Sequence, residues 1–332
     1  MTTRVVFGEA RTADIYYRCG WASDAPCLYV EDDEKQVLYV AGFEYARACK
    51  EVSGVEVQRL TSPQEVLEAL EGRVVVNWDF PYRLATSLRG EVTSQRAVFA
   101  ERAVKSKQEI TCLAHAQELA KQAMDLVESQ LRAAEIIDGV ACVNGEELTS
   151  EQLKMLVRTF LIQQGADCPD LIISSGSQTS LAHHRGSGPI KEGPVIIDIF
   201  PQASNRYHGD LTRTVLVGTH PRAQELLAAV REVHALCVQK CVPGQELEEL
   251  HVFAEEELAT RGFATSSDRS EGLVHSLGHG VGLQIHEAPH IGPRTEGVLE
   301  AGMVVTIEPG LYYEVGVRWE DAVVVGDRPR VL

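Results

Sequence analysis

Four acidic residues stand where a β-sheet can least easily accommodate them. Asp198 interrupts the apolar run PVIIDIF (194–200), Asp210 opens DLTRTVLVG (210–218), Glu308 lies near the end of MVVTIEPG (303–310), and Glu320 falls within VRWEDAVVV (317–325). Each run has the β-branched and aliphatic content of a strand. An unpaired carboxylate in such a strand is costly to bury, so it protonates, pairs with a cation or binds a metal. A strand-end cap or an ion pair with a nearby arginine accounts for any one of them alone. Four in one domain, on strands that can share a sheet, are a different matter. If they converge, their mutual repulsion raises their pKa values unless cations neutralise them. Two divalent ions would do so.

The segment HSLGHGVGLQIHEAPH (275–290) adds histidines to these acids. His275 and His279 are spaced i, i+4, as on a zinc-protease helix of the HExxH type. Ser276 rather than Glu follows His275, however, and Gly278, Gly280 and Gly282 oppose a helix. The segment therefore reads as loop and extended chain that bring His279 and His286 toward one site. An isolated histidine is more often a core or surface residue than a ligand, whereas three interleaved with glycine favour a site.

These motifs fall in the second of two expected domains, since a chain of 332 residues exceeds one ordinary core. Residues 1–100 alternate short apolar strands with amphipathic stretches. CLYVEDDEKQVLYVAG (27–42) predicts two strands about an acidic turn, with helices over 43–50 and 62–70 and strands over 55–57 and 73–77. That alternation is an α/β pattern. Residues 105–135 then run without Gly or Pro, with apolar residues at helical spacing. The boundary is placed at 95–105, giving domains of 1–100 and 101–332. Thr149 and Gln152 form a capping box for a helix that ends at Gly165. Further helices are expected over 221–241, stopped by Pro243-Gly244, and over 246–260. With the four acid-bearing strands joined by short turns, the second domain is α+β and expected to be antiparallel.

Charge and composition exclude other classes. With 31 Lys and Arg against 48 Asp and Glu the net charge is −17, which argues against a nucleic-acid partner. The apolar runs are too short to span a membrane. Eight scattered cysteines without a CxxC pair read as reduced thiols. Cys237 and Cys241 are expected on one helix face. The N-terminus shows no apolar core of a secretory signal, so a cytoplasmic location is expected.

Asp198, Asp210 in DLTRT, His279 in GHGVG, His286 in HEAP, Glu308 in IEPGLYY and Glu320 in VRWED together resemble the M24 metallopeptidases. These are the pita-bread enzymes, which include methionine aminopeptidase, Xaa-Pro aminopeptidase, prolidase and the creatinase-type hydrolases. The resemblance covers residues 105–325, and residues 1–100 resemble, in shortened form, the extra N-terminal domain of the Xaa-Pro and creatinase branches. It implies two divalent metal ions held by Asp198, Asp210, His279, Glu308 and Glu320. Asp210 and Glu320 would bridge them, Asp198 would chelate one, and His279 and Glu308 would complete the other. Oxygen ligands with one imidazole suit Mn²⁺, Co²⁺, Fe²⁺ or Zn²⁺, with Mn²⁺ the first expectation. By the same resemblance Glu308 moves the proton of the attacking water. His183 in SLAHHRG stands near the scissile bond, with His184 the competing choice, and His286 stabilises the tetrahedral intermediate. Arg318, two residues before Glu320 and so on the same strand face, would orient Glu320, meet a substrate carboxylate or form a structural ion pair.

His275 matches the prolidase and Xaa-Pro branches. The implied activity is therefore an Xaa-Pro peptidase, aminopeptidase or dipeptidase, acting as a homodimer on short peptides with proline second. A methionine aminopeptidase is the near alternative, opposed by His275 and the extra domain. A creatinase-type hydrolase needs no metal, and retention of all five ligand types opposes it. A non-catalytic binding protein on this scaffold would be expected to have lost a ligand. Two local departures from the family pattern stand out in the second domain: the Asp198–Asp210 spacing is one residue longer than in many members, and Phe200-Pro201 replaces a Gly-containing turn.

Overall fold

The computed structural model describes residues 2–9, 12–265 and 270–332. The chain forms two compact units, Met1–Arg102 and Ala103–Leu332.

The first unit is built on a six-stranded mixed sheet whose spatial order is Glu56–Arg59, Gln36–Val40, Pro26–Glu31, Thr2–Glu9, Arg73–Asn77, Glu91–Gln95. The period-two alternation of a strand sends neighbouring residues to opposite faces. Val6, Tyr29, Leu38 and Val75 therefore pack on one side with Ile15 and Ala48, while Val5, Leu28, Val30 and Val74 pack on the other with Leu67 and Leu84. Helices thus cover both faces of the sheet. The expected strands within 27–42 are Pro26–Glu31 and Gln36–Val40, and the acidic turn closes through Asp32 Oδ1, which accepts from the N–H groups of Glu34 and Lys35. The strands Thr2–Glu9 and Glu91–Gln95 were not foreseen; the second is a largely exposed edge strand with one valine, so it lacks the apolar signal.

The second unit repeats one plan twice: two helices against an antiparallel sheet. In its first half the helices Lys107–Ala133 and Ser150–Gln163 pack on the sheet Ile172–Ser175, Gly193–Ile199, Leu211–Val217. Both helices begin with a reciprocal capping box, Ser106 with Glu109 and Thr149 with Gln152. In the second half, Pro221–Gln239 and Leu247–Thr260 pack on a sheet ordered Glu287–Ile291, Gly278–Gly280, Val304–Ile307, Asp321–Val324, Arg330–Val331. Among the described residues, no helix is long and apolar enough to cross a membrane.

Two expected strands are corrected. The run 303–310 is not continuous: it splits into Val304–Ile307 and Gly310–Tyr312 across Glu308-Pro309, where proline has no N–H to give a ladder. The run 317–325 likewise splits into Gly316–Arg318 and Asp321–Val324, and Glu320 sits at the break, its N–H donated to Thr212 O of the first half. These breaks pass the chain between sheets and turn acid side chains toward the seam between the halves.

Candidate metal centre

Asp198 lies in the strand Gly193–Ile199 directly across from Thr212, and Asp210 ends the connection that returns to that partner strand. The longer Asp198–Asp210 connection is closed on itself: Gly209 N–H donates to Pro201 O, and Gln202 pairs with both Asp167 and His208. Asp210 is fixed from behind by Gln117 on the long helix, whose amide accepts from Asp210 N–H at 2.8 Å and donates to Asp210 O at 2.9 Å. Gly209 permits this approach, since a Cβ there would fall 2.5 Å from Ala116 O. From the second half, His279 comes from the short strand Gly278–Gly280 and Glu308 from the end of Val304–Ile307.

These side chains meet. Ligand atoms of Asp210, His279 and Glu320 all lie within 4.8 Å of one another. His279 Nε2 is 3.6 Å from Asp210 Oδ2 and 3.4 Å from Glu308 Oε1. Buried threonines tie the group together. Thr306 Oγ1 accepts from His279 N–H at 3.0 Å and faces Glu308 Oε1 at 3.5 Å, while Thr212 Oγ1 donates to Glu320 Oε2 at 2.6 Å. Arg318 Nη2 binds Asp198 Oδ2 at 2.6 Å, so Arg318 orients Asp198 by a buried ion pair.

The electrostatics follow from crowding acids out of water. Burial is the first cause of a raised pKa for each carboxylate, and their repulsion adds to it: Glu320, Asp198 and Glu308 act on Asp210, and Glu320 acts on Glu308. Glu320 is pushed up to about 8 by burial and then by Asp198. Burial is also what lowers His279, to about 3, followed by its neighbour His286.

Around this centre the proton positions can be assigned. His275 Nδ1 lies 2.8 Å from Ser276 O, which can only accept, so Nδ1 carries the hydrogen. His275 Nε2 then accepts from Tyr312 O–H at 3.2 Å, and the Tyr312 oxygen accepts from Arg318 Nη1 at 2.9 Å. A directed chain therefore links Asp198 through Arg318 and Tyr312 to His275. The His286 ring meets His279 edge to face, with centroids 4.3 Å apart. Of the two adjacent histidines, His184 is turned onto its own loop, where Nδ1 accepts from Gly186 N–H at 3.0 Å. The exposed His183 acts electrostatically on both Asp198 and His275.

The residues present fit a divalent metal. The donors are hard carboxylate oxygens and one imidazole held neutral by burial. Asp198 Oδ1 is buried without a hydrogen-bond partner among the described residues. Bound cations would oppose the repulsion that helps raise Asp210, Glu308 and Glu320. Sequence reasoning did not single out Gln117, Thr212, Thr306 or Tyr312. A glutamine on the otherwise apolar buried face of the helix was the available signal for Gln117.

An α+β scaffold that gathers four carboxylates and an imidazole at the seam between two antiparallel sheets defines the class of proteins built around a divalent-metal site. Comparison with known proteins narrows this class. The model of metallopeptidase family M24 matches residues 111–327. The chain is 30% identical over 328 residues to the Xaa-Pro dipeptidase of Pyrococcus furiosus, covering 95% of this chain and 89% of that protein. Its structure is similar to that of the prolidase from Pyrococcus horikoshii, with a TM-score of 0.85 at 27% identity over 100% of this chain and 93% of that one. The prolidase from Pyrococcus furiosus gives 0.84 at 29% identity, over 99% and 95%. The chain belongs to metallopeptidase family M24 and has its pita-bread fold.

Proposed function

We propose that this chain is an Xaa-Pro peptidase, a metallo-exopeptidase that releases the N-terminal residue from short peptides with proline second. The convergence of Asp210, His279, Glu308 and Glu320 beside a histidine at 275, in a chain of this family, carries the reading. The dipeptidase form is favoured because the relatives named Xaa-Pro dipeptidase align along almost the whole chain.

In this reading Asp198, Asp210, His279, Glu308 and Glu320 hold two divalent ions, Mn²⁺ first. Such ions, when bound, would polarise the scissile carbonyl and lower the pKa of the attacking water. The remaining work falls to side chains. Glu308, whose proton affinity burial and Glu320 raise, takes the water's proton on its carboxylate and returns it to the leaving nitrogen. His286, packed on His279, donates a hydrogen bond to the carbonyl oxygen as it gains negative charge. His183, bearing on Asp198 and His275, contacts the peptide near the scissile bond. Arg318 keeps Asp198 oriented and Tyr312 directed at His275. Residues 1–100 are read as a shortened creatinase-like domain. The assembly is read as a homodimer from the resemblance to the family, which sedimentation velocity checks. A cytosolic location is supported by eight unpaired thiols, which persist best in a reducing compartment.

The direct test is hydrolysis of Xaa-Pro dipeptides and Xaa-Pro tripeptides by metal-stripped protein, with and without added Mn²⁺, Co²⁺ or Zn²⁺, against a Met-Ala-Ser control. Metal-dependent cleavage before proline, with dipeptides preferred, is expected. Cleavage of Met-Ala-Ser alone would overturn the substrate assignment.

A further inference from the structure

One buried ion pair in the second unit involves no residue assigned above to the reaction. Lys105 Nζ lies 2.9 Å from Glu287 Oε1, the two side chains being 1% and 5% exposed. Lys105 is itself fixed: Nζ donates to Ala103 O at 3.1 Å, and its backbone N–H donates to Gly302 O. Glu287 directly follows His286 in the chain. Its second oxygen, Oε2, accepts from Gln284 N–H at 3.3 Å. A Cβ on Gly282 would fall 2.3 Å from Oε1, so the carboxylate lies folded onto the backbone of the 282–284 turn. That turn is closed by Gly282 N–H donating to Gln284 O at 3.0 Å, and His208 N–H ties it down at Gly282 O. The loop that leaves the His279 strand and returns through His286 is thus wrapped around one carboxylate, and Lys105 holds that carboxylate's charge.

A buried ion pair contributes little net stability compared with apolar residues of the same volume. Its value is directional, because the cation fixes where the carboxylate sits. We infer that Lys105 is a positioning residue: through Glu287 it sets the loop that seats His286 against His279 at the metal centre. The inference rests on the proposed role of His286 in the reaction.

The metal-loaded enzyme tests it with four variants, each assayed for kcat and KM on an Xaa-Pro dipeptide, metal content and Tm. Lys105→Met alone strands a buried charge and is expected to melt lower, which a purely structural role would also produce. The double variant Lys105→Met/Glu287→Met removes both charges together. It is expected to regain most of the lost Tm and full metal content, yet to stay about 10- to 100-fold down in kcat with KM little changed, since small misplacement of a reacting group costs rate in that range. Gly282→Ala displaces the carboxylate without changing any charge and is expected to lower kcat in the same way. His286→Ala is the reference. If it loses kcat while the double variant and Gly282→Ala keep the wild-type value, the positioning role is overturned and the reading of His286 stands. If His286→Ala itself keeps the wild-type kcat, that reading fails and the positioning role falls with it. Loss of metal in the double variant would also overturn the inference, by assigning the pair to the metal centre.

Discussion

Thr212 donates from Oγ1 to Glu320 Oε2 at 2.6 Å, and Arg318 Nε donates to the same Oγ1 at 3.3 Å. Because Arg318 can only donate, the direction of the threonine O–H is fixed toward the carboxylate. The contact joins the two halves of the second unit at a fully buried point. It also favours the ionised form of Glu320, the form a metal would require, against burial and against Asp198.

Thr212→Val keeps the shape and removes the hydroxyl. Metal affinity is expected to fall about 10- to 100-fold, as is usual when a ligand loses its hydrogen-bonded support, whereas Thr212→Ser should retain most of it. Titration calorimetry with Mn²⁺ at fixed pH measures both. Wild-type affinity in the valine variant would mean that Glu320 is held by other contacts.

The acids were legible in the sequence because four of them fall in strand-like apolar runs of one domain, and burying that many carboxylates together without a cation is costly. The helices were legible from caps and from long stretches without Gly or Pro. The strand break at Glu308-Pro309 was marked by its proline, whereas the break at Glu320 was not, since Val317 and Trp319 before it and Ala322 to Val325 after it read as one strand. That break is set by tertiary pairing, Glu320 N–H to Thr212 O. Gln117, Thr212 and Thr306 were missed for a related reason. Each bonds at least one residue distant in sequence, Asp210, Glu320 and His279 respectively, and no local spacing encodes the partner.

His234 gives the fold an acid limit. It is 7% exposed on the helix Pro221–Gln239, with Nε2 3.2 Å from Asp321 Oδ2. Its pKa is lowered to about 4, because burial outweighs the attraction of Asp321, a carboxylate that Arg213 already neutralises at 2.6 Å. Below the unfolded value of about 6.5 the unfolded chain binds this proton and the folded chain does not. Stability from neutral His234 is therefore complete above pH 6.5 and is lost as pH falls toward 4, by on the order of 3 kcal/mol at most. Thermal melts from pH 8 to pH 4 should show His234→Gln losing less of its Tm over that window than wild type. Parallel curves would assign the acid limit to other groups.

The thiols divide sharply by exposure. Cys49 is exposed and Cys112 half-buried, whereas Cys19, Cys27, Cys142, Cys168, Cys237 and Cys241 are buried. Burial pushes Cys19, Cys27, Cys168 and Cys241 up to about 12 and raises Cys237 as well, so almost none of these is thiolate at neutral pH. With Ellman's reagent at pH 8, Cys49 should react fast and Cys112 slowly, with the buried six appearing only on denaturation. Cys49→Ser should remove the fast phase, and a fast phase that persists would mean that a buried thiol is reached by local opening.

Asp210→Asn should separate the cost of the charge from its use. The carboxamide is close to the carboxylate in shape, and the Gln117 clamp survives because it holds backbone atoms of residue 210. What disappears is a negative charge whose pKa is pushed well up by burial, then by Glu320, Asp198 and Glu308. An acid with a folded-state pKa above its unfolded value of about 3.9 binds more protons when folded, so its ionisation destabilises the fold as pH rises. Without metal, the asparagine variant should therefore melt at or above wild type at neutral pH, and its relative advantage should grow as pH rises. With Mn²⁺ the order should reverse, since wild type gains stability by binding and the variant lacks a carboxylate proposed to hold the metal. Activity should be lost throughout. Scanning calorimetry in chelator and in Mn²⁺ reads both orders. If the metal-free variant melts well below wild type, repulsion is not the dominant energy at residue 210. If Mn²⁺ stabilises the variant as much as wild type, Asp210 leaves the ligand set.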